Sequence, residues 1–105
     1  MFGNLEGAVG SADRCLPARD KSPCFPIKES SIALLRTAGF KVLSLENNHA
    51  ADLGEPGIEA TLSALDRQGL RGLRFEDSPS FLRLGVRTVG LIALLGDTSQ
   101  LGSIA

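Results

Sequence analysis

A helix that stops at a glycine and passes at once into a short apolar run is the feature that most restricts how this chain can fold. Glu29 or Ser30 can cap a helix running through Ala38, with Ile32, Leu34, Leu35 and Ala38 as apolar positions and Gly39 as the C-terminal stop. Phe40 to Leu45 follows directly, with Val42, Leu43 and Leu45 apolar. A run this short, fed by a helix, is expected as a buried strand of a parallel sheet. A second helix then begins near Pro56, carries Ile58, Leu62 and Leu65 on one face, and ends at Gly69. Gly72 to Phe75 reads as another strand. Leu82–Leu84 and Arg87–Leu95 flank Gly85 as a hairpin.

The N-terminal part is less regular. Met1 to Glu6 reads as a short strand running into a glycine-rich turn at Gly7 to Gly10. Ser11 to Lys28 reads as a loop, because Pro17, Pro23 and Pro26 interrupt any regular element. The predicted order is strand, loop, helix, strand, polar loop, helix, strand, hairpin. That order calls for an α/β fold with a mainly parallel sheet and a C-terminal hairpin. With 105 residues there is room for one core. Residues 1–95 are expected to form it, and residues 96–105 to be a polar tail that frays.

Composition excludes several functions. Eleven Lys and Arg face twelve Asp and Glu, for a net charge of −1, so there is no electrostatic case for binding nucleic acid or acidic lipid. Trp and Tyr are absent, which argues against a base-stacking platform. No apolar run approaches the roughly 18–20 residues of a membrane span. The longest, Val86 to Leu95, is interrupted by Arg87, Thr88 and Gly90. Met1 to Gly10 does not read as a signal peptide. Cys15 and Cys24, with eight residues between them, match neither a zinc pair nor a redox pair. Two free thiols are the expectation on compartment grounds, with a disulfide as the alternative in an oxidising compartment.

In parallel α/β sheets, ligands bind beyond the carboxyl ends of the strands. Two polar clusters, Asn4 to Glu6 and Asn47 to Asp52, fall at such ends. An Asn carbonyl and the nitrogen of His49, the single histidine, are both metal ligands by type. The Asp52 carboxylate can set the tautomer of His49. Glu6 offers an anionic oxygen able to bridge two cations. The same Asn and Asp residues also serve simply to turn the chain before a helix. Spacing alone leaves both readings open.

Asn4-Leu5-Glu6-Gly7 resembles the N-L-E-G motif of the CapA family, whose members take part in bacterial capsule and poly-gamma-glutamate synthesis. The stretch Ala38 to Gly54, A-G-F-K-V-L-S-L-E-N-N-H-A-A-D-L-G, resembles that family's A-G-F-D-V-V-S-L-A-N-N-H-A-L-D-Y-G. Gly57 to Leu62, Leu65 and Gly69-Leu70 are similar to its following helix, and the pair around Gly85 to its hairpin. The resemblance implies a domain like the calcineurin-like metallophosphatases, a four-layer α/β/β/α sandwich of which this chain would be a part. It implies two divalent ions (Mn, Zn or Fe) in a complete domain, with Glu6 and Asn48 as metal ligands. By the same resemblance His49 would contact a phosphoryl-like oxygen or protonate the leaving group, and Asp52 would orient it.

The chain departs from the family's pattern where the family has a metal-binding Asp upstream of N-L-E-G and His ligands beyond the hairpin. An internal fragment of the domain is therefore the expectation. Whether it is an enzyme stays open: the resemblance points to a metal-dependent hydrolase, while the competing reading is a non-catalytic remnant or interaction module. The expected partners are a small-molecule or polymer substrate, a membrane-associated synthesis complex, and further copies of the chain meeting through uncovered sheet edges. Family members act at or outside the cytoplasmic membrane. Glu46, where the family has Ala, is expected to be a solvated side chain or to adjust metal affinity.

Overall fold

A computed structural model describes residues 1–16 and 24–95. Seven strands and two α-helices follow one another: β1 (Phe2–Asn4), β2 (Ala8–Val9), β3 (Pro26–Ile27), α1 (Glu29–Thr37), β4 (Val42–Ser44), α2 (Gly54–Arg67), β5 (Arg71–Leu73), β6 (Ser80–Leu84) and β7 (Arg87–Leu91). Strands β1, β4 and β5 form a parallel sheet in that order, with β4 central. Phe2 is opposite Val42, and Val42 opposite Arg71. The β6–β7 hairpin is antiparallel. The α/β class, the mainly parallel sheet and the C-terminal hairpin are all as the sequence predicts.

Alternation along β4 explains the layering, because successive side chains of a strand point to opposite faces. Leu43 turns to the helices and joins Ile32, Ala64 and Leu65, all nearly or fully buried, in the main core. Leu35 and Leu62 pack against that cluster. Gly72 lies on the same face, where an added Cβ would come within 2.8 Å of Leu62. Val42 turns the other way and, with Leu73 and Ala93, meets Leu82 and Leu91 of the hairpin. The sheet is thus covered by helices on one face and by the hairpin on the other.

The N-terminal region departs from expectation. Gly7 to Gly10 is not simply a turn: Ala8 and Val9 form β2, paired in parallel with β3. The loop predicted over Ser11 to Lys28 contains a 3₁₀ turn at Ala12–Arg14 and ends in β3. Pro26 is tolerated because it is the first residue of its strand. Gly7 makes the pairing sterically feasible, since a Cβ there would sit 2.6 Å from the Phe25 carbonyl. Thr61 ties β2 to α2. Its buried hydroxyl accepts from the Val9 N–H at 2.8 Å and donates to the Gly57 carbonyl at 2.7 Å.

Other boundaries also shift. The position capping α1 is Lys28, which makes no side-chain cap, so neither Glu29 nor Ser30 fills that role. The strand predicted over Gly72 to Phe75 is Arg71–Leu73, and Phe75 instead opens a 3₁₀ turn. Cys15 and Cys24 form a disulfide, which corrects the expectation of free thiols. The physical reason is that both flanking residues are held against Asp52. This leaves the two Cα atoms 6.2 Å apart, inside the range a disulfide spans. The predicted polar tail lies outside the described residues.

Candidate functional site at the carboxyl ends of the parallel strands

The segment after β4 is a turn organised by Asn47. Its side-chain oxygen accepts from the backbone N–H groups of His49 (3.0 Å) and Ala50 (2.9 Å). Its amide nitrogen donates to the Leu5 carbonyl (2.8 Å) and to Asn4 Oδ1 (2.9 Å). Asn4 in turn donates to Glu6 Oε1 at 3.2 Å. One side chain therefore fixes the local turn and ties it to the strand end that carries Glu6. An Asn suits this because its amide offers both an acceptor oxygen and two donors.

His49 is 7% exposed. Its Nδ1 lies 2.9 Å from Asp52 Oδ2, and its ring packs at 57° against Phe25 with centroids 4.5 Å apart. An ionised carboxylate can only accept a hydrogen bond, so Nδ1 carries the proton of this contact. In the neutral ring, Nε2 is then left as the nitrogen with a free lone pair. Asp52 Oδ2 also accepts from the Phe25 N–H at 2.8 Å, and the Asp52 carbonyl accepts from the Leu16 N–H at 2.9 Å. The carboxylate is thus held from more than one side.

Of the four residues singled out in the sequence, Asp52 and His49 are in direct contact. Glu6 is joined to them through Asn4 and Asn47. Asn48 is exposed on the same turn. Glu46 is partly buried, not a solvated side chain: its carboxylate accepts from the Phe75 N–H at 2.9 Å. Beside the turn lies a concavity of about 180 Å³ bordered by Glu46, Asn47, Ala50 and Arg74. Asn47 and Phe25 were not assigned roles by sequence reasoning. The two adjacent asparagines are indistinguishable by type, and nothing in residues 11–28 marks Phe25 as reaching His49.

A divalent ion needs several ligands. Among the described residues, no group of three or more His, Cys, Asp and Glu side chains is arranged to hold one. Glu6 and Asn48 offer exposed oxygens of the right chemical type, but by themselves they do not close a coordination sphere.

An α/β chain whose polar residues gather at the carboxyl ends of parallel strands is built like a ligand-binding or catalytic domain. Its sequence narrows that class. Residues 1–95 match the profile of the bacterial capsule synthesis protein PGA_cap. The whole chain aligns at 34% identity with the capsule biosynthesis protein CapA of Bacillus anthracis, of which it covers 27%. The chain belongs to the bacterial capsule synthesis protein family, and it spans about a quarter of the length of this curated relative.

Proposed function

We propose that this chain supplies part of a metal-dependent, phosphoesterase- or hydrolase-like centre acting in capsule or poly-gamma-glutamate synthesis. The observation that carries the reading is the His49–Asp52 pair, with Nδ1 and the carboxylate 2.9 Å apart at the carboxyl end of a parallel sheet. Orientation of a histidine by a carboxylate recurs both in metal sites and in proton transfer. In this reading Glu6 and Asn48 hold the metal through oxygen, and the remaining ligands come from outside the described residues. When bound, the ions (Mn, Zn or Fe, two in a complete domain) would polarise the substrate. Asp52 keeps the His49 ring in one orientation, and His49 Nε2 holds or delivers the proton at the substrate's oxygen. The substrate is a small molecule or a growing polymer, handled in a membrane-associated complex. A disulfide-bonded pair suits an oxidising, extracytoplasmic location. Among the described residues no helix is long and apolar enough to cross a membrane.

A second reading, an interaction module that keeps part of the fold, is favoured by the exposed apolar residues. Phe81 is 63% exposed and Val86 94%. Phe2, on the hairpin side of β1, is 43% exposed. β1 is an edge strand among the described residues, open to pairing with another copy.

Calorimetric titration of the chain with Mn²⁺ or Zn²⁺ separates the readings. Weak binding that Glu6→Ala largely abolishes is expected. Absence of binding would favour the interaction module. Tight binding of two ions would contradict the ligand count.

A further inference from the structure

Cys15 and Cys24, nine positions apart in sequence, are bonded to each other, and each is followed by a residue that touches Asp52. The residue after Cys15 is Leu16, whose N–H donates to the Asp52 carbonyl at 2.9 Å. The residue after Cys24 is Phe25, whose N–H donates to the Asp52 carboxylate at 2.8 Å and whose ring packs on His49. Both halves of the bridge therefore pass directly into a contact with Asp52. Phe25 is the only backbone donor to the Asp52 carboxylate among the contacts found at the described residues. Neither contact belongs to a regular element: Leu16 follows a 3₁₀ turn, and Phe25 precedes the two-residue strand β3. Elements so short hold their neighbours weakly on their own.

We propose that the Cys15–Cys24 disulfide is a redox-sensitive clamp that positions Asp52 and, through it and Phe25, the ring of His49. With the bond closed, Leu16 and Phe25 stay beside Asp52 because their cysteines cannot separate. With the bond open, Phe25 keeps the bond from the Ala8 N–H to its carbonyl, but the two segments are no longer tied to each other, and their joint hold on Asp52 and His49 relaxes. Opening requires a dithiol reductant. By thiol–disulfide exchange the dithiol gives two electrons and two protons. The Sγ–Sγ bond breaks, Cys15 and Cys24 each become a thiol, and the reductant closes into its own disulfide. Cys15, Cys24, Leu16 and Phe25 are positioning residues here and touch no reacting atom. The regulatory meaning of the clamp rests on the function proposed above, whereas its structural content does not.

The test compares the oxidised chain, the same chain reduced by a dithiol, and the Cys15→Ser/Cys24→Ser variant. Amide hydrogen exchange and the nuclear Overhauser effect between Phe25 and His49 are the readouts, in the absence of metal. Leu5 and Leu45 serve as core reporters, since their N–H groups bond to Ser44 and Leu73 within the parallel sheet. Opening the bond is expected to speed exchange at Phe25 and Leu16 by about tenfold or more, as local release does. The Phe25–His49 effect should disappear while Leu5 and Leu45 stay protected. Unchanged exchange at Phe25 and Leu16 would overturn the clamp. So would equal acceleration at Leu5 and Leu45, which would make the bridge a staple of the whole fold. A Mn²⁺ titration is run in parallel. If Mn²⁺ leaves the signals of Glu6, Asn48 and His49 untouched in both redox forms while reduction still frees Phe25, the metal reading fails and the clamp stands.

Discussion

The turn after β4 and the β6–β7 hairpin solve opposite problems. In the turn, polar side chains are drawn inward and paired: the Asn47 side chain makes four hydrogen bonds, and the nearly buried His49 has Asp52 beside it. In the hairpin, apolar side chains are left outward. Leu82 and Leu91 reach the sheet, but Phe81, Leu84 and Val86 face solvent. A buried polar network is costly unless every member is satisfied. Here the Asn47 amide and His49 Nδ1 both have partners. An exposed apolar surface is costly in a different way, through the partners it attracts. In the two readings proposed above, the first region serves as the site and the second as the contact surface.

Three substitutions probe that contrast. The largest effect is expected for Asn47→Ala, which removes the side-chain acceptor of two backbone N–H groups and one of the two donors to the Leu5 carbonyl. Loss of several bonds worth about 1 kcal/mol each, with groups left unpaired, should cost about 2–3 kcal/mol in urea unfolding. A cost as small as that of a surface change would mean the turn is held by the chain around it. Leu82→Ala comes next. This partly buried contact should cost about 1–2 kcal/mol, below the range for fully buried leucines. Phe81→Ser should be the smallest, within about 0.5 kcal/mol in stability. It should nonetheless reduce self-association in sedimentation at high concentration. Unaltered association would remove the hairpin's outer face from the account.

The contrast also explains what was legible in the sequence. Both helices and the central strand were readable because apolar spacing and glycine stops are local signals. The β2–β3 pair was not, since two strands of two residues meet across an intervening stretch and one of them opens with Pro26. Turn chemistry at Gly7 to Gly10 and the prolines outvoted a pairing that only tertiary contacts support. The gathering of polar side chains at the strand ends was readable from the polar clusters. The division of labour within it was not. Asn47 and Asn48 are alike by type, and only the fold shows that the first is turned to the backbone while the second is exposed. The bond that holds Glu46 leaves no local trace, because its donor, the N–H of Phe75, lies 29 positions away. The disulfide was missed because compartment weighed more than geometry that the sequence does not display.

The central proposal is that the ends of β1 and β4 supply ligands to one cation site. Paramagnetic broadening by Mn²⁺, followed residue by residue in the nuclear magnetic resonance spectrum of the full chain, tests it most directly. The account predicts that the signals of Glu6, Asn48 and His49 broaden first and together, and that Glu6→Ala removes most of the effect. Broadening centred instead on the exposed carboxylates of α2, Glu55 and Glu59, with Glu6 and His49 unaffected, would contradict it.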